Sequence, residues 1–164
     1  MAPLGDANGY QHLWMRARAA ADGDRPLQVT FMNGDRFYTW STLANQGTEM
    51  LFTELGATDP EFNLRRDQGL MLSVPSAASH TFISVFEPHG EYNGSAEYTT
   101  ESASAVASIE RASEGVLEAI RITTRGGSDT TVVLSFDPDP DARHRIELDG
   151  EILEWNGFFH RIEN

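Results

Sequence analysis

Short runs in which apolar and polar residues alternate, separated by turn-forming residues, make up most of the chain. Residues 27–33 and 36–43 are two such runs. Asn33-Gly34 lies between them and is the dipeptide that most favours a type I′ turn. The pattern therefore predicts a β-hairpin at this place.

The alternation continues in the second half of the chain. Residues 102–113 are rich in Ala and Ser, but they alternate with period two, as do residues 116–124. We interpret both runs as strands that join near Gly115. Because turn signals are frequent and no amphipathic helix is evident, the sequence predicts an all-β fold, an antiparallel two-layer β-sandwich of about ten short strands.

The end of the chain contains three short runs that we interpret as strands, 145–148, 152–155 and 158–162. Asp149-Gly150 separates the first run from the second, and Asn156-Gly157 separates the second from the third. Both dipeptides are hairpin signals. The pattern predicts two consecutive hairpins, which together form a meander.

The polar-rich segment 51–92 interrupts this pattern and is interpreted as long and irregular, although residues 48–55 continue in strand-like fashion and residues 70–74 and 81–86 are interpreted as two buried strands. It contains Arg65 and Arg66 close to carboxylates. It ends in Glu87-Pro88-His89-Gly90-Glu91-Tyr92, which brings acid, imidazole and phenol together at the expected end of a strand. Two alternatives stay open for the arginines: they pair with nearby acids to hold the connection, or they contact a ligand.

Length and charge limit the possible functions. The chain has 164 residues, which predicts a single β-sandwich domain over 1–164 with residues 1–9 as a flexible leader. Those first residues lack the pattern of a secretory signal, and no apolar run approaches the roughly 20 residues needed to cross a bilayer. The formal net charge of −13 argues against nucleic acid and anionic membranes as partners.

Several chemical motifs are incomplete. Asp137, Asp139 and Asp141 have the spacing of a calcium loop, but the glycine and the closing glutamate of that loop are missing. The histidines form no H-x-H or H-E-x-x-H pair, no serine lies in a G-x-S-x-G elbow, and cysteine is absent. We therefore predict no metal site and no cofactor in this chain, and these motifs do not support a serine hydrolase.

Two strings in the polar segment carry a family resemblance. GATDPEFNLRR and FISVFEPHGEY resemble the C-terminal β domain of the alginate and oligoalginate lyases of polysaccharide lyase family seventeen, in the heparinase II/III-like group. The resemblance extends from Gln11-His12-Leu13-Trp14 to the C-terminus, and after Thr99 it is expected to be general only.

The resemblance implies a parent enzyme that removes units from uronic-acid chains by β-elimination. A base takes the proton at C5, an acid assists the departing 4-oxygen, and the substrate carboxylate is neutralised. In the family these groups lie on an α-helical toroid and in an earlier part of the β domain, which also supplies a zinc site, and none of them matches this sequence. Arg65, Arg66, Glu87 and His89 occupy matching motifs, and the resemblance implies that they contact substrate or form an interface.

These observations predict an accessory β domain of an alginate-lyase-like protein that is inactive alone. Uronic-acid oligosaccharides are its partners through a parent enzyme. We expect a homodimer or docking to a catalytic helical domain, and the resemblance suggests a periplasmic or cytoplasmic location. One alternative is an autonomous carbohydrate-binding module that uses Trp14, Trp40 or Trp155 as sugar platforms. Another is a self-sufficient lyase that uses Tyr92 or Tyr98 with His89.

Overall fold

The structure is a computed structural model that describes residues 2–21, 25–45, 47–58, 64–75 and 77–163, with only the backbone described at 56–58 and 64–66. Within these ranges the regular elements are β-strands and one turn of 3-10 helix, Tyr10–His12. The strands in chain order are β1 (Ala2–Pro3), β2 (Leu13–Ala20), β3 (Leu27–Asn33), β4 (Arg36–Thr42), β5 (Glu49–Thr58), β6 (Leu64–Ser73), β7 (Ser84–Asn93), β8 (Tyr98–Thr100), β9 (Val106–Glu114), β10 (Leu117–Thr124), β11 (Asp129–Ser135), β12 (Arg143–Leu148), β13 (Glu151–Asn156) and β14 (Phe159–Glu163).

The strands pair antiparallel in several sheets, which confirms the predicted all-β sandwich. The chain divides into two compact units. The first unit comprises Met1–Leu27 and Ala44–Phe82, and the second comprises Gln28–Leu43 and Ile83–Asn164. The prediction of a single domain over 1–164 stays a prediction.

The first unit contains one sheet with the order β1-β2-β5-β6. The segment expected to be a flexible leader contributes to it, because Ala2 and Pro3 pair with Met15 and Trp14, and the Leu4 amide donates to the Leu13 carbonyl at 2.8 Å. The start of the chain is therefore held at the sheet edge by backbone hydrogen bonds.

The interpretation of residues 51–92 as irregular is wrong. β5 and β6 pair residue by residue from Glu49 and Ser73 to Thr58 and Leu64, and β7 continues well beyond the predicted end at Phe86. The predicted strands 48–55 and 70–74 overlap β5 and β6, but the polar residues between 56 and 69 hid the full length of both. A strand is defined by its backbone pairing, and its solvent-facing positions accept polar residues freely.

The second unit contains two four-stranded sheets and a separate hairpin. We call the sheet with the order β3-β4-β7-β8 the β7 sheet, and the sheet with the order β14-β11-β10-β9 the β10 sheet. The predicted hairpin of β3 and β4 is confirmed. Its turn has positive φ at Gly34 and at neither neighbour, whereas the predicted type I′ turn requires two consecutive positive φ values.

Both faces of the β10 sheet contribute to the core. On one face, Ala119 and Val133 pack with apolar residues of the β12–β13 hairpin, including Trp155. On the other face, Ile109 clusters with Val106 and with Ile83. The β10 sheet is therefore the middle layer of the second unit, and its buried strands explain the strong β-branched pattern in this part of the sequence.

The predicted meander at the end of the chain is only half correct. Asp149 and Gly150 both have positive φ and close the β12–β13 hairpin. β14, however, pairs with β11 in the β10 sheet and not with β13. Gly157 (φ 77°) donates its amide to the Ala142 carbonyl at 3.0 Å, so the chain leaves the hairpin here and crosses to the other sheet. A dipeptide that favours a hairpin turn does not specify which strand is the next partner.

Candidate functional site

The motif from Glu87 to Tyr92 lies inside β7 and not at the end of a strand. β7 pairs with β4 throughout this stretch, and the register shifts by one residue between Arg36 and Phe37, opposite Gly90. Successive side chains of a strand point to opposite faces. Glu87 and His89 therefore share one face of the β7 sheet, which we call the inner face, and Phe86 and Pro88 lie on the outer face.

The carboxylate of Glu87 binds the segment that precedes β9. Its Oε2 accepts a hydrogen bond from Ser104 Oγ at 2.5 Å, and its Oε1 accepts one from the Ala105 amide at 2.9 Å. Ser104 Oγ in turn accepts the Val106 amide at 3.1 Å. Gln28 reinforces this region from β3, since its Nε2 donates to the Val106 carbonyl at 3.1 Å. Both oxygens of Glu87 are thus occupied within the second unit.

The imidazole of His89 binds the same segment at Glu101, which precedes the residues bound by Glu87. Nδ1 lies 2.7 Å from the Glu101 carbonyl oxygen, which can only accept, so Nδ1 carries the proton and donates. Nε2 lies 2.8 Å from Thr39 Oγ1, which is itself 2.8 Å from Thr30 Oγ1. The ring also stacks on Phe37 at a centroid distance of 6.1 Å. Both ring nitrogens therefore have partners inside the protein.

Gly90 allows β7 to approach the neighbouring segment. Its φ is +47°, a value that side-chain-bearing residues rarely adopt. A Cβ atom at this position would lie 2.1 Å from the Thr100 carbonyl oxygen and 2.2 Å from the Glu101 carbonyl oxygen. Glu87, His89 and Gly90 together hold residues 100–106 against β7, and we call this arrangement the clasp.

Arg65 and Arg66 lie in the first unit, on β6, where their backbones pair with Ala57 and Gly56. Their side chains are outside what the structure describes, and residues 59–63 of the GATDPEFNLRR string lie outside the described residues as well. Glu87 and His89 lie together in the second unit. A role for the four residues in substrate contact or in an interface stays a prediction.

The outer face of the β7 sheet carries an aromatic cluster that the sequence analysis missed. The rings of Phe31, Tyr38 and Phe86 lie 5.6 to 6.1 Å apart, centroid to centroid. Phe31 is 40% exposed and Phe86 is 59% exposed. Part of the signal was available on β4, where Tyr38 and Trp40 alternate with Thr39 and Ser41.

The three tryptophans differ in exposure, and only Trp40 and Trp155 lie in the second unit. Trp155 is 6% exposed and belongs to the core, and Trp40 on the outer face of the β7 sheet is partly buried. Trp14 is 38% exposed and lies on β2 in the first unit. Burial of Trp155 removes it from the residues that could stack on a sugar.

The acidic loop after β11 uses its carboxylates on its own backbone. Asp137 Oδ1 accepts the Asp139 amide at 3.0 Å, and Asp139 Oδ1 accepts the Asp141 amide at 3.0 Å. These are two successive Asx turns, which explains the spacing that resembles a calcium loop. In the described part of the chain, no three His, Asp or Glu side chains converge as a metal site would require.

A shallow pocket lies at the open end of the β12–β13 hairpin, lined by Arg143, Glu154, Trp155 and Asn156. Arg143 donates to Glu154 at 2.5 Å, and this hydrogen bond holds the pKa of the Glu154 carboxyl below its usual value. Because both charges are exposed and already paired, the pocket presents little free chemistry to a ligand.

Comparison with known proteins shows what the chain is similar to. Residues 125–160, from the turn before β11 into β14, match the family described as exo-oligoalginate lyase-like, C-terminal domain. Over 161 residues, 96% of this chain and 22% of the relative, the chain is 38% identical to the exo-oligoalginate lyase of Saccharophagus degradans. Over 160 residues, 98% of this chain and 21% of the relative, it is 37% identical to the alginate lyase of Stenotrophomonas maltophilia.

The chain is similar to these two lyases along most of its length, and its residues 125–160 are similar to an exo-oligoalginate lyase-like C-terminal domain.

This similarity confirms the resemblance found in the sequence, but the family match lies in a different part of the chain from the two strings that carried the resemblance. The matched residues 125–160 lie after Thr99, where only a general resemblance was expected. They include the β12–β13 hairpin, whose Ile146, Leu148 and Leu153 fill the core. The chain spans about a fifth of the length of the lyases it matches.

Proposed function

We propose that residues 1–164 form the C-terminal accessory domain of a polysaccharide lyase that cleaves uronic-acid polymers by β-elimination. The domain supports catalysis by packing and assembly and supplies no catalytic group. One observation carries the second part of the proposal. Glu87 and His89, the acid and the imidazole of the lyase-like motif, use both carboxylate oxygens and both ring nitrogens in the clasp.

The chemistry of β-elimination supports this assignment. A catalytic base needs a free lone pair within hydrogen-bond reach of the substrate C5 proton. In the neutral ring, the Nε2 lone pair of His89 accepts from Thr39, and Nδ1 donates to the Glu101 carbonyl. Tyr92 and Tyr98 are exposed, but a lyase that pairs either of them with His89 would first have to open the clasp.

A direct assay tests the inactive state of the domain. The 164-residue protein is incubated with alginate oligosaccharides, and the absorbance of the unsaturated product is followed. We expect no turnover above a blank without protein. Turnover that is lost in His89→Ala would show that the chain carries its own catalytic centre and would overturn the accessory role.

A chimera tests the positive part of the proposal. The region of the Stenotrophomonas maltophilia alginate lyase that matches this chain is replaced by residues 1–164. We expect the chimera to fold and to cleave alginate, and a version that lacks the region to lose activity or solubility. A folded chimera that does not cleave alginate would contradict the proposal that this chain serves as the C-terminal domain of such an enzyme.

The carbohydrate-binding module is the second candidate, and the exposed rings of Phe31 and Phe86 favour it. The geometry of the cluster argues against it. Its three centroid distances are nearly equal, so the rings form a compact triangle and not a line that follows a sugar chain. Calorimetric titration with alginate oligosaccharides distinguishes the candidates: the accessory role predicts no binding heat from the 164-residue protein.

Within the described residues no helix is long and apolar enough to cross a membrane. The periplasmic or cytoplasmic location suggested by the resemblance remains a proposal, and so does the assembly of the domain with a catalytic part or with a second copy. Light scattering after size-exclusion chromatography tests the second copy, since the accessory role in a larger polypeptide predicts a monomeric 164-residue protein.

A further inference from the structure

The β7 sheet carries its apolar surface on the side that faces away from the core of the second unit. Its inner face bears Thr39 and Ser41, which are both fully buried, together with the clasp residues. Its outer face bears Phe31, Tyr38 and Phe86 in mutual contact. A sheet face that is open to water normally alternates to polar residues, so an aromatic outer face indicates a surface that is covered in the complete protein.

The other positions of the outer face extend the cluster. Val29 precedes Phe31 by two residues on β3, Trp40 follows Tyr38 by two on β4, and Pro88 follows Phe86 by two on β7. Val29 and Trp40 are half-buried and Pro88 is exposed. We call these residues and the three rings the aromatic face. Aromatic residues in such a continuous patch are the usual anchors of protein interfaces.

We propose that the aromatic face is the surface on which the remaining polypeptide of the lyase packs. This inference rests on the proposed function. The relatives are about five times longer than the matched region, so polypeptide that could cover the face is covalently connected to the domain in those enzymes. A segment in the same chain packs at high effective concentration, which favours it over any free partner.

Two other occupants fit less well. A second copy of this chain carries the same net charge of −13, so two copies repel each other as they approach. A polyuronate chain is also an anion, and it needs a linear row of stacking surfaces, whereas the three rings form a triangle. A polypeptide segment with apolar side chains matches both the chemistry and the compact shape of the cluster.

Hydroxyl-radical labelling of aromatic side chains measures the exposure of the face directly. Labelling is compared between the 164-residue protein and the chimera, with Phe136 as the matched control because it is 72% exposed and lies outside the aromatic face. In the 164-residue protein we expect strong labelling of Phe86 and Phe31. In the chimera we expect their labelling to fall towards that of the buried Trp155, with Phe136 unchanged.

The outcomes separate the inference from the proposed function. If an active chimera labels Phe86 as strongly as the 164-residue protein does, the docking surface is wrong and the accessory role stands. If the chimera folds and is inactive, the accessory role itself fails. Protection of Phe86 in the 164-residue protein alone would also overturn the inference: dependence on protein concentration would identify a second copy, and dependence on added alginate oligosaccharide would identify a sugar.

A second measurement does not need a folded chimera. The Stenotrophomonas maltophilia enzyme without its matched region is added to the 164-residue protein, and binding is followed by calorimetry. We expect Phe86→Ser to weaken binding at least about tenfold, a typical loss for an interface anchor, and Phe136→Ser to leave it unchanged. Equal binding by the two variants would overturn the docking surface. No binding of the unmodified protein to a truncated enzyme that is soluble and folded by circular dichroism would overturn it as well.

Discussion

The two faces of the β7 sheet use opposite chemistry. On the inner face, the partly buried Phe37 and Val85 lie beside hydroxyl, imidazole and carboxylate groups that form hydrogen bonds within the second unit. The outer face is aromatic and open to solvent. In an isolated sheet-based domain the opposite distribution is expected, because burial of apolar area stabilises the fold and polar groups interact best with water.

The inner face of the β7 sheet stabilises the domain, whereas the outer face is available to bind another surface. On the inner face the Glu87 carboxylate and His89 Nδ1 fix residues 100–106, and His89 Nε2 contacts Thr39, so every polar atom of these two side chains has a partner. On the outer face the apolar groups of Phe31 and Phe86 have gained only part of the burial available to them. The incomplete face is therefore the one with interactions still to make, which agrees with a domain that belongs to a larger enzyme.

The largest loss of stability is expected at Gly90, because the absence of a side chain there allows β7 to approach Thr100 and Glu101. In Gly90→Val, the new Cβ would lie within 2.2 Å of two backbone carbonyl oxygens, and the residue would have to keep a φ of +47°. We expect a loss of more than about 3 kcal/mol in the free energy of unfolding, measured by urea denaturation.

Gly34→Ala is the control for this variant. Gly34 also has positive φ, at +65°, but a Cβ atom added there would have no other atom within 4 Å. The free energy of unfolding of this variant should fall by only about 1 kcal/mol, which is the conformational cost of a side chain at positive φ. If the two variants lose the same amount, the close approach of β7 to Thr100 contributes nothing and the clasp is incorrectly described.

A smaller loss in the free energy of unfolding is expected when the clasp loses the carboxylate of Glu87, which accepts two hydrogen bonds. Glu87→Leu keeps a side chain of similar size but leaves the buried hydroxyl of Ser104 and the Ala105 amide without their partner. We expect a loss of about 2 kcal/mol in the free energy of unfolding. Glu91→Leu, on an exposed position of the same strand, should change it by less than about 0.5 kcal/mol. Similar losses in both would show that Glu87 is not an anchor.

The Arg111–Glu118 ion pair of the β10 sheet is half-buried, and its contribution to stability depends on pH. Arg111 donates two hydrogen bonds to Glu118, through Nε at 2.8 Å and Nη2 at 2.6 Å, and these bonds hold the pKa of Glu118 below its usual value of 4.5. The folded state thus binds fewer protons than the unfolded state near this pH. The pair's contribution is complete above about pH 5.5 and is lost as the pH falls through 4.5 and the lower folded pKa.

In Arg111→Met we expect stability at pH 7 to fall by about 1 kcal/mol and the stability curve to flatten below pH 5. Arg143→Met is the control, because the Arg143–Glu154 pair is exposed and screened by water. The measurement is urea denaturation at a series of pH values from 3 to 7. An unchanged slope in Arg111→Met would contradict a role for the pair in acid stability.

The sequence predicted the fold class because the strands from β9 to β13 combine period-two alternation with turn residues that act locally. Asp149-Gly150 is such a turn, and both of its residues adopt the positive φ that the dipeptide allows. The partner of β14 could not be predicted in this way. Pairing with β11 depends on how the β12–β13 hairpin covers the β10 sheet, which is a long-range packing effect and not a property of Asn156-Gly157.

The candidate site was predictable only in part. Glu87 and His89 were identified from the motif, but their engagement with Ser104 and Glu101 depends on contacts between strands that no spacing in the motif reveals. The aromatic face was readable in principle, since Phe31 and Tyr38 follow the same alternation as their neighbours. Alternation alone does not indicate which face of a sheet is exposed, and here the aromatic residues lie on the exposed side.

The smallest change in the free energy of unfolding is expected from a substitution on the outer face. The neighbouring residue of the same strand faces the core, so two adjacent substitutions compare the two faces directly. Phe86→Ser removes a ring that is 59% exposed, so the 164-residue protein should change in free energy of unfolding by less than about 0.5 kcal/mol. Val85→Ser, one residue earlier, removes a side chain that packs against the core cluster of Ile83, Val106 and Ile109, and it should lose about 1 kcal/mol. Urea denaturation measures both. A larger loss for Phe86 than for Val85 would mean that the aromatic face already stabilises the domain, and that its rings are part of the fold and not a surface reserved for a partner.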